Sequence, residues 1–464
     1  MENRVERFFQ EMKGKRIAFC GIGGSNLPLI EIFHKKGAYV LACDKKTREE
    51  LGEKAIKLEE QGIELCLGED YLQNLNADMI FRTPGMKYHM PELEQARKNG
   101  IVVTSEMEVF FDLCPCKIVA VTGSDGKTTT TTIISEMLKA CGKKVHLGGN
   151  IGRPLLPDIE SIKADDVAVV ELSSFQLISM RKSPDIAVVT NITPNHLDIH
   201  KDMAEYIDAK KNILLHQNAF GRTVLNLDND ITSGFTTVTR GETLLFSRRK
   251  STENGAWLRD DGVLMMSYHG KDIPVLAAKD IFIPGTHNIE NFLAAITALW
   301  GIVPPEVMVQ VAKSFGGVEH RTELVRELYG VRYYNDSIAS SPTRCISGTL
   351  SLFPQKIVLI AGGYDKKIPF DALGPVVVEK VKILILLGNT ADKIEKAVTE
   401  STSYCKGNPE IIRVHSMEEA VQTAFERTSS GDIVSLSPAC ASFDLYPNFE
   451  ARGKHFKQLV NALK

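Results

Sequence analysis

The sequence predicts an α/β protein of three domains, and three observations predict it. Short β-branched runs alternate with stretches of helical spacing along the chain. Glycines and polar residues cluster immediately after those runs, where a parallel sheet gathers its connecting loops on one edge. The 464 residues are too many for one hydrophobic core. The expected spans are 1–106, 107–317 and 318–464.

In the first span, residues 16–20 read as a strand, 21–26 as a glycine-rich turn, 27–36 as a helix and 39–43 as a second strand closed by Asp44. This is the opening of a Rossmann-like unit, with an acid where a ribose hydroxyl is often held. Its third glycine is missing, because position 26 is asparagine. The turn therefore fits a dinucleotide, a nucleoside diphosphate without redox chemistry, or a plain strand–helix connection. A strand over 77–81 leads into a second turn, 82–86, on the same edge.

The second span opens on a strand, 118–122, followed by Gly123-Ser124-Asp125-Gly126-Lys127-Thr128-Thr129 and a helix. Glycines let backbone N–H groups face an anion, and the helix N-terminus favours negative charge. Lys127 adds a point charge, and the Thr128 hydroxyl is placed to ligate Mg²⁺. The spacing is shorter than that of the general phosphate loop, since position 121 is valine. A strand over 166–170 ends in Glu171, and one over 186–190 leads to His196, so both point toward one rim. An acid at a strand end beside a phosphate loop is a usual Mg²⁺ ligand. His200 reads as solvated, and the default for Lys210 is a solvated helix face. Residues 223–276 read as a small β-rich insertion, and a long helical segment after 283 puts Asn288 and Asn291 on one face.

The third span repeats the strand–loop–helix pattern. Strands at 331–334, 356–361, 383–387 and 432–436 each end in a polar loop, which predicts a C-terminal Rossmann-like domain with those loops on one edge.

Composition limits the function. With 43% hydrophobic and 24% charged residues and a net charge of −3, the chain is not a nucleic-acid binder working by bulk charge. No apolar run reaches membrane-spanning length and the first seven residues lack a hydrophobic signal core, so a cytoplasmic protein without a membrane partner is expected. Nine scattered cysteines fit reduced thiols in a cytosol, and Cys114-Pro115-Cys116 has no second pair at metal spacing.

Taken together, these motifs resemble the Mur ligases, ATP-dependent amide-forming enzymes of peptidoglycan synthesis, over nearly the whole chain and in the same order. Residues 122–128 look like that family's shortened phosphate loop. Glu171-Leu172-Ser173-Ser174, the stretch from Asn191 to His196, His287-Asn288 and His320-Arg321 fall where the family has motifs. Within the family the chain is most similar to the branch that adds D-glutamate to UDP-N-acetylmuramoyl-L-alanine. The similarity lies in residues 148–152, 335–337 and 436–444, with Asn448-Phe449 and Arg452-Gly453. The alternative is a sister branch adding a different amino acid, against which the stretch 436–444 argues. An oxidoreductase built on the first span would leave the Gly-Lys-Thr loop unused.

The resemblance implies an acyl phosphate made from ATP, attacked by the amine of D-glutamate, and a monomer acting on these small molecules. It implies two Mg²⁺ sites served by Thr128, Glu171, His196 and Lys210, the last as a carbamate, with Lys211 the adjacent alternative. Lys127, Glu171, His196 and Lys210 would be catalytic. ATP would meet residues 123–129 together with Asn288, Arg321 and Asp336. Gly24, Ser25, Asp44, Thr83 and Gly85 would hold the UDP group, making the first span a UDP-binding domain. Asn150 and Ser173 would touch the muramoyl-alanine end. Lys366, Ser442, Phe443 and Phe449 would receive D-glutamate. One departure stands out: family members commonly have lysine and threonine after Asn-Asp-Ser, where this chain has Ile338 and Ser340 two positions on.

Overall fold

The computed structural model describes residues 4–73, 75–194 and 199–464. His196 lies outside the described residues. Two compact units are present, Met1–Ile281 with Thr286–Lys313, and Phe282–Gly285 with Ser314–Lys464.

The first unit holds two parallel sheets. One contains β1 (Arg16–Cys20), β2 (Tyr39–Asp44), β3 (Glu64–Leu67), β4 (Met79–Arg82) and β5 (Val102–Thr104) in the order β3-β2-β1-β4-β5. The other contains β6 (Lys117–Thr122), β7 (Val145–Gly149), β8 (Val167–Glu171), β9 (Ile186–Val189), β10 (Arg222–Asn226) and β11 (Glu242–Phe246) in the order β11-β10-β9-β6-β8-β7. The central strands are apolar throughout because helices cover both faces of such a sheet. The two sheets share one core. Phe19 stacks on Phe81 at 4.8 Å, Phe33 meets both edge-on, and the cluster continues through Phe110 and Phe111 to Leu177 and Ile213. That continuity holds the first two sheets in one compact unit.

A small antiparallel sheet follows, of β12 (Gly255–Leu258), β13 (Val263–Tyr268) and β14 (Lys271–Ala277). The β-rich insertion expected over 223–276 is therefore shorter. Its first part, β10 and β11, extends the parallel sheet, since Arg222–Asn226 pairs with both Ile186–Val189 and Glu242–Phe246.

The second unit has one six-stranded sheet. It contains β15 (Glu323–Leu328), β16 (Val331–Asn335), β17 (Ile357–Ala361), β18 (Val381–Leu386), β19 (Glu410–Arg413) and β20 (Ile433–Leu436), in the order β15-β16-β20-β17-β18-β19. Only the β15 edge runs antiparallel.

Order reversals in the sheets place the crevices. In the first sheet, β1 and β4 are neighbours whose connections leave in opposite directions, which opens a gap at their carboxyl ends. The residues after β1 and β4 are the turns 21–26 and 83–86. In the first turn, Asn26 is fully buried and its amide donates to the carbonyls of Cys20, at 3.3 Å, and Gly21, at 3.1 Å. This explains the missing third glycine, because the asparagine closes the turn that a glycine would only permit. Asn26→Ala removes the amide from both carbonyls, leaving that of Cys20 with Thr83 N–H alone, and is expected to cost about 1–3 kcal/mol. A lower urea midpoint with unchanged circular dichroism before the transition would show it.

Candidate functional site

The phosphate loop leaves β6 and enters the helix Lys127–Ala140. Its two glycines are sterically required. A Cβ on Gly123 would lie 1.9 Å from Thr190 Oγ1, and one on Gly126 would lie 2.5 Å from Asn291 Oδ1, with φ at 151° and 78°. The loop is held from the next strand. Ser124 N–H donates to the Asn191 carbonyl at 2.8 Å, Asp125 N–H to Asn191 Oδ1 at 2.9 Å, and Thr190 Oγ1 to the Asp125 carbonyl at 2.6 Å. The Ser124 hydroxyl bonds the Tyr206 hydroxyl at 2.9 Å. Lys127 Nζ donates to the Ser124 carbonyl at 2.8 Å, folded back over the loop it belongs to. Asn288 is buried and accepts from Asn291, which in turn accepts from Thr130 at 3.2 Å. The expected asparagine face thus rests against the phosphate-loop helix.

Glu171, at the end of β8, is 1% exposed. Its Oε1 accepts from Asn150 Nδ2 at 2.7 Å, and Asn150 N–H donates to the Glu171 carbonyl at 2.8 Å. Its Oε2 is buried with no hydrogen-bond partner among the described residues. A buried carboxylate oxygen without a donor is costly, so this atom fits a cation ligand. Among the described residues no group of three His, Cys, Asp or Glu side chains could hold a metal. A cation here would need further oxygens from a nucleotide, from water, from Thr128 or from a modified lysine.

Lys210 lies directly beneath the phosphate loop. It is 2% exposed, which overturns the solvated default. Its Nζ donates to the Gly123 carbonyl at 2.8 Å and lies 4.8 Å from the Tyr206 ring centre. Burial, reinforced by the nearby Lys127 charge, lowers its pKa to about 7. The neutral amine is thereby favoured over the ammonium form relative to an exposed lysine. Lys211 instead is half-buried, 5.5 Å from the Phe235 ring centre, and pairs with Asp208 at 3.0 Å.

On the first sheet's edge, Asp44 holds its own turn. Its carboxylate accepts from Ile22 N–H at 2.7 Å and Lys46 N–H at 3.0 Å. Thr83 N–H donates to the Cys20 carbonyl, which binds the two turns together, and a Cβ at Gly21 would strike the Thr83 methyl at 2.9 Å. Gly24, Ser25 and Gly85 sit in these turns, and a Cβ at Gly24 or Gly85 would meet nothing within 4 Å. Ser173 caps the short helix Ser174–Leu177 through a reciprocal box with Gln176.

In the second unit, Asp336 is buried after β16. Oδ2 accepts from Thr349 at 2.8 Å and Ser437 at 2.9 Å, and Oδ1 from Thr322 N–H at 3.2 Å. Burial raises its pKa. The bond from Thr322 N–H fixes the turn carrying Arg321, where His320 and Thr322 both have positive φ. Ser442 is buried, and Phe443 is 62% exposed with its ring edge-on to Tyr364 at 5.8 Å. Phe449 opens the helix Phe449–Ala462 and lies edge-on to His320 at 6.0 Å. Lys366 is exposed in the loop after β17. Ile338 is half-buried, and its N–H donates to the His320 carbonyl at 3.2 Å.

Sequence reasoning missed three organising residues. Arg82, 1% exposed, donates to the Phe175 carbonyl at 2.9 Å and Ser179 Oγ at 2.8 Å, tying the first sheet to the second. Arg452, also buried, donates to the carbonyls of Ser337, Cys440 and Ala441 and so joins the loops after β16 and β20. His200 was expected in solvent and is 4% exposed, with both ring nitrogens bonded. A buried cation offers no sequence signal of its own. His200 had one, a second histidine in a loop leaving the carboxyl end of a strand.

Comparison with known proteins agrees with this geometry. The chain matches the MurD-like N-terminal domain of Mur ligases over 15–105, the Mur ligase middle domain over 121–299, and the Mur ligase glutamate ligase domain over 320–440. Proteins named UDP-N-acetylmuramoylalanine–D-glutamate ligase from Acetivibrio thermocellus and Clostridium botulinum are 53% and 50% identical to it, over 100% of both chains in each pair. The crystal structure of the UDP-N-acetylmuramate–alanine ligase MurC from Thermotoga maritima shares the fold, with a TM-score of 0.56 at 17% identity over 97% of this chain and 100% of that one. The structure of a UDP-N-acetylmuramoyl-L-alanyl-D-glutamate–2,6-diaminopimelate ligase gives 0.56 at 18% identity, over 97% and 92%. From β6 and its phosphate loop to the loops after β16 and β20, this chain belongs to the Mur ligase family, with the MurD-like form of the N-terminal domain.

Proposed function

We propose that this chain is an ATP-dependent ligase that adds D-glutamate to UDP-N-acetylmuramoyl-L-alanine in peptidoglycan precursor synthesis. The amino-acid assignment is supported by identity near one half, over full length, to relatives named for that reaction. The observation that carries the chemistry is the sheet edge where the phosphate loop after β6 and buried Glu171 at the end of neighbouring β8 meet buried Lys210 from the helix Met203–Leu215.

A carboxylate oxygen of the alanine attacks the γ-phosphorus of ATP, the bond to ADP breaks, and an acyl phosphate forms. The D-glutamate nitrogen then attacks the acyl carbon, inorganic phosphate leaves, and the nitrogen loses its proton. Two anions must meet in the first step. Lys127 exchanges the Ser124 carbonyl for phosphate oxygen, and the N–H groups at the start of the helix Lys127–Ala140 complete the cradle. Mg²⁺, when bound, neutralises phosphate charge and the acyl phosphate. Thr128, Glu171, His196 and Lys210 as its carbamate are the proposed ligands for two ions. Asn288, Arg321 and Asp336 are the proposed ATP contacts. Gly24, Ser25, Asp44, Thr83 and Gly85 would take the UDP group, Asn150 and Ser173 the muramoyl-alanine end, and Lys366, Ser442, Phe443 and Phe449 D-glutamate.

The domain spans 1–106, 107–317 and 318–464 belong to the same proposal, supported by each parallel sheet falling within one of them. A cytoplasmic monomer is the proposed working form. No helix among the described residues is long and apolar enough to cross a membrane.

Three outcomes test this reading. Phosphate release with ATP, Mg²⁺ and UDP-N-acetylmuramoyl-L-alanine is expected with D-glutamate and not with L-glutamate, L-alanine, L-lysine or meso-diaminopimelate; release with another of these would move the chain to a sister branch. Lys127→Ala is expected to lower kcat by roughly 10³-fold or more, and Phe449→Ala to raise the KM for D-glutamate about tenfold while the KM for ATP moves less than twofold. Lys210 also makes stability depend on pH. Its folded pKa, about 7, lies below the usual lysine value of 10.5, so between those values the unfolded chain binds the extra proton and this group's penalty eases as pH rises. Lys210→Met should therefore raise the melting temperature more at pH 6.5 than at pH 9.5, and should abolish turnover.

A further inference from the structure

His200 sits where two elements meet. Its Nε2 lies 2.8 Å from Ser174 Oγ and its Nδ1 lies 2.8 Å from Glu205 Oε1. Its ring stacks on Phe175 at 5.1 Å and 7°, and meets Tyr206 edge-on at 5.4 Å. A neutral ring satisfies both polar neighbours: Nδ1–H donates to the Glu205 carboxylate, and Nε2 accepts from the Ser174 hydroxyl. Ser174 stands three residues beyond Glu171, on the turn leaving β8. Glu205 and Tyr206 stand on the helix Met203–Leu215, which carries Lys210. Each element is also anchored separately, Ser173 by its cap with Gln176 and Tyr206 by Ser124. His200 bonds to both, at the end of the short helix nearest Glu171, while Asn212 of the long helix ties its far end by donating to the Leu177 carbonyl at 3.0 Å.

We propose that His200 is a positioning residue: it ties the Glu171 turn to the Lys210 helix and so sets the separation of the oxygen donors that hold a divalent cation. The proposal rests on the ligase reading above for the cation's role, and on this chain's own contacts for the tie. Oxygen donors for Mg²⁺ must hold near-octahedral geometry at short distance. Donors from two separate elements keep that geometry only while the elements keep their spacing, and outer hydrogen-bond partners supply that restraint. A packed ring without its two bonds would fill the space and leave the spacing loose.

His200→Phe keeps the aromatic stack and removes both bonds, while Ser174→Ala removes one. Mn²⁺ binding to the full chain, followed by electron paramagnetic resonance with a non-hydrolysable ATP analogue, is expected to weaken about tenfold or more in His200→Phe. A smaller loss is expected in Ser174→Ala, and the double variant should be no weaker than His200→Phe alone. The KM for D-glutamate should move less than twofold. Mn²⁺ binding at the wild-type level in folded His200→Phe would overturn the proposal. So would an equal loss of Mn²⁺, analogue and D-glutamate affinity, the mark of general loosening. If His200→Phe does not fold, Ser174→Ala decides alone by the same criterion. Failure of the wild type to turn over D-glutamate would remove the ligase reading, yet the Mn²⁺ comparison would still report on the tie.

Discussion

A lysine buried beneath a phosphate loop is the constraint on which the first unit depends. Lys210 Nζ donates to the Gly123 carbonyl at 2.8 Å from inside the protein, so the loop is held from below. Burying an amine this way is unfavourable when it is charged, and Lys127 nearby adds repulsion. The fold relieves the cost by letting the amine approach neutrality and by setting the Tyr206 ring beneath it. An amine so placed is suited to conversion into an anionic ligand, which would exchange a repulsive neighbour of Lys127 for an attractive one.

The rest of the unit is arranged to keep that edge in register. Tyr206 reaches Ser124, His200 reaches Ser174, and Arg82 reaches across from the first sheet to the segment after Glu171. The second unit uses the same device with one acid and one base. Asp336 is buried and gathers Thr322, Thr349 and Ser437, while Arg452 gathers three backbone carbonyls from two loops. A buried ion that collects neutral dipoles fixes loop positions more strictly than apolar packing, because losing any partner exposes the charge to an unpaired environment.

Much of this was legible in the sequence, for physical reasons that also explain what was not. The central strands were readable because Val119 to Val121 and Ile357 to Ala361 are continuous apolar runs, as burial on both faces demands. The edge strands Glu323–Leu328 and Glu410–Arg413 were not, since they are half-buried and carry charges. Residues 223–276 read as one β-rich insertion, although β10 and β11 belong to the parallel sheet, because a short strand does not encode its partner. Glu171 and the phosphate loop were legible through strand-end placement. The burial of Lys210 and His200 was not, since both sit among polar neighbours and only tertiary packing covers them. The roles of Asn26 and Arg452 lie in bonds to backbone carbonyls, which leave no pattern in the side chains around them.

The central claim is that the oxygen lost from the substrate carboxylate leaves on phosphate. Supplying UDP-N-acetylmuramoyl-L-alanine with ¹⁸O in its terminal carboxylate, together with ATP, Mg²⁺ and D-glutamate, and weighing the released phosphate tests it directly. One ¹⁸O per phosphate is the predicted result, because that oxygen bridges carbon and phosphorus in the acyl phosphate. Phosphate free of ¹⁸O would contradict the account.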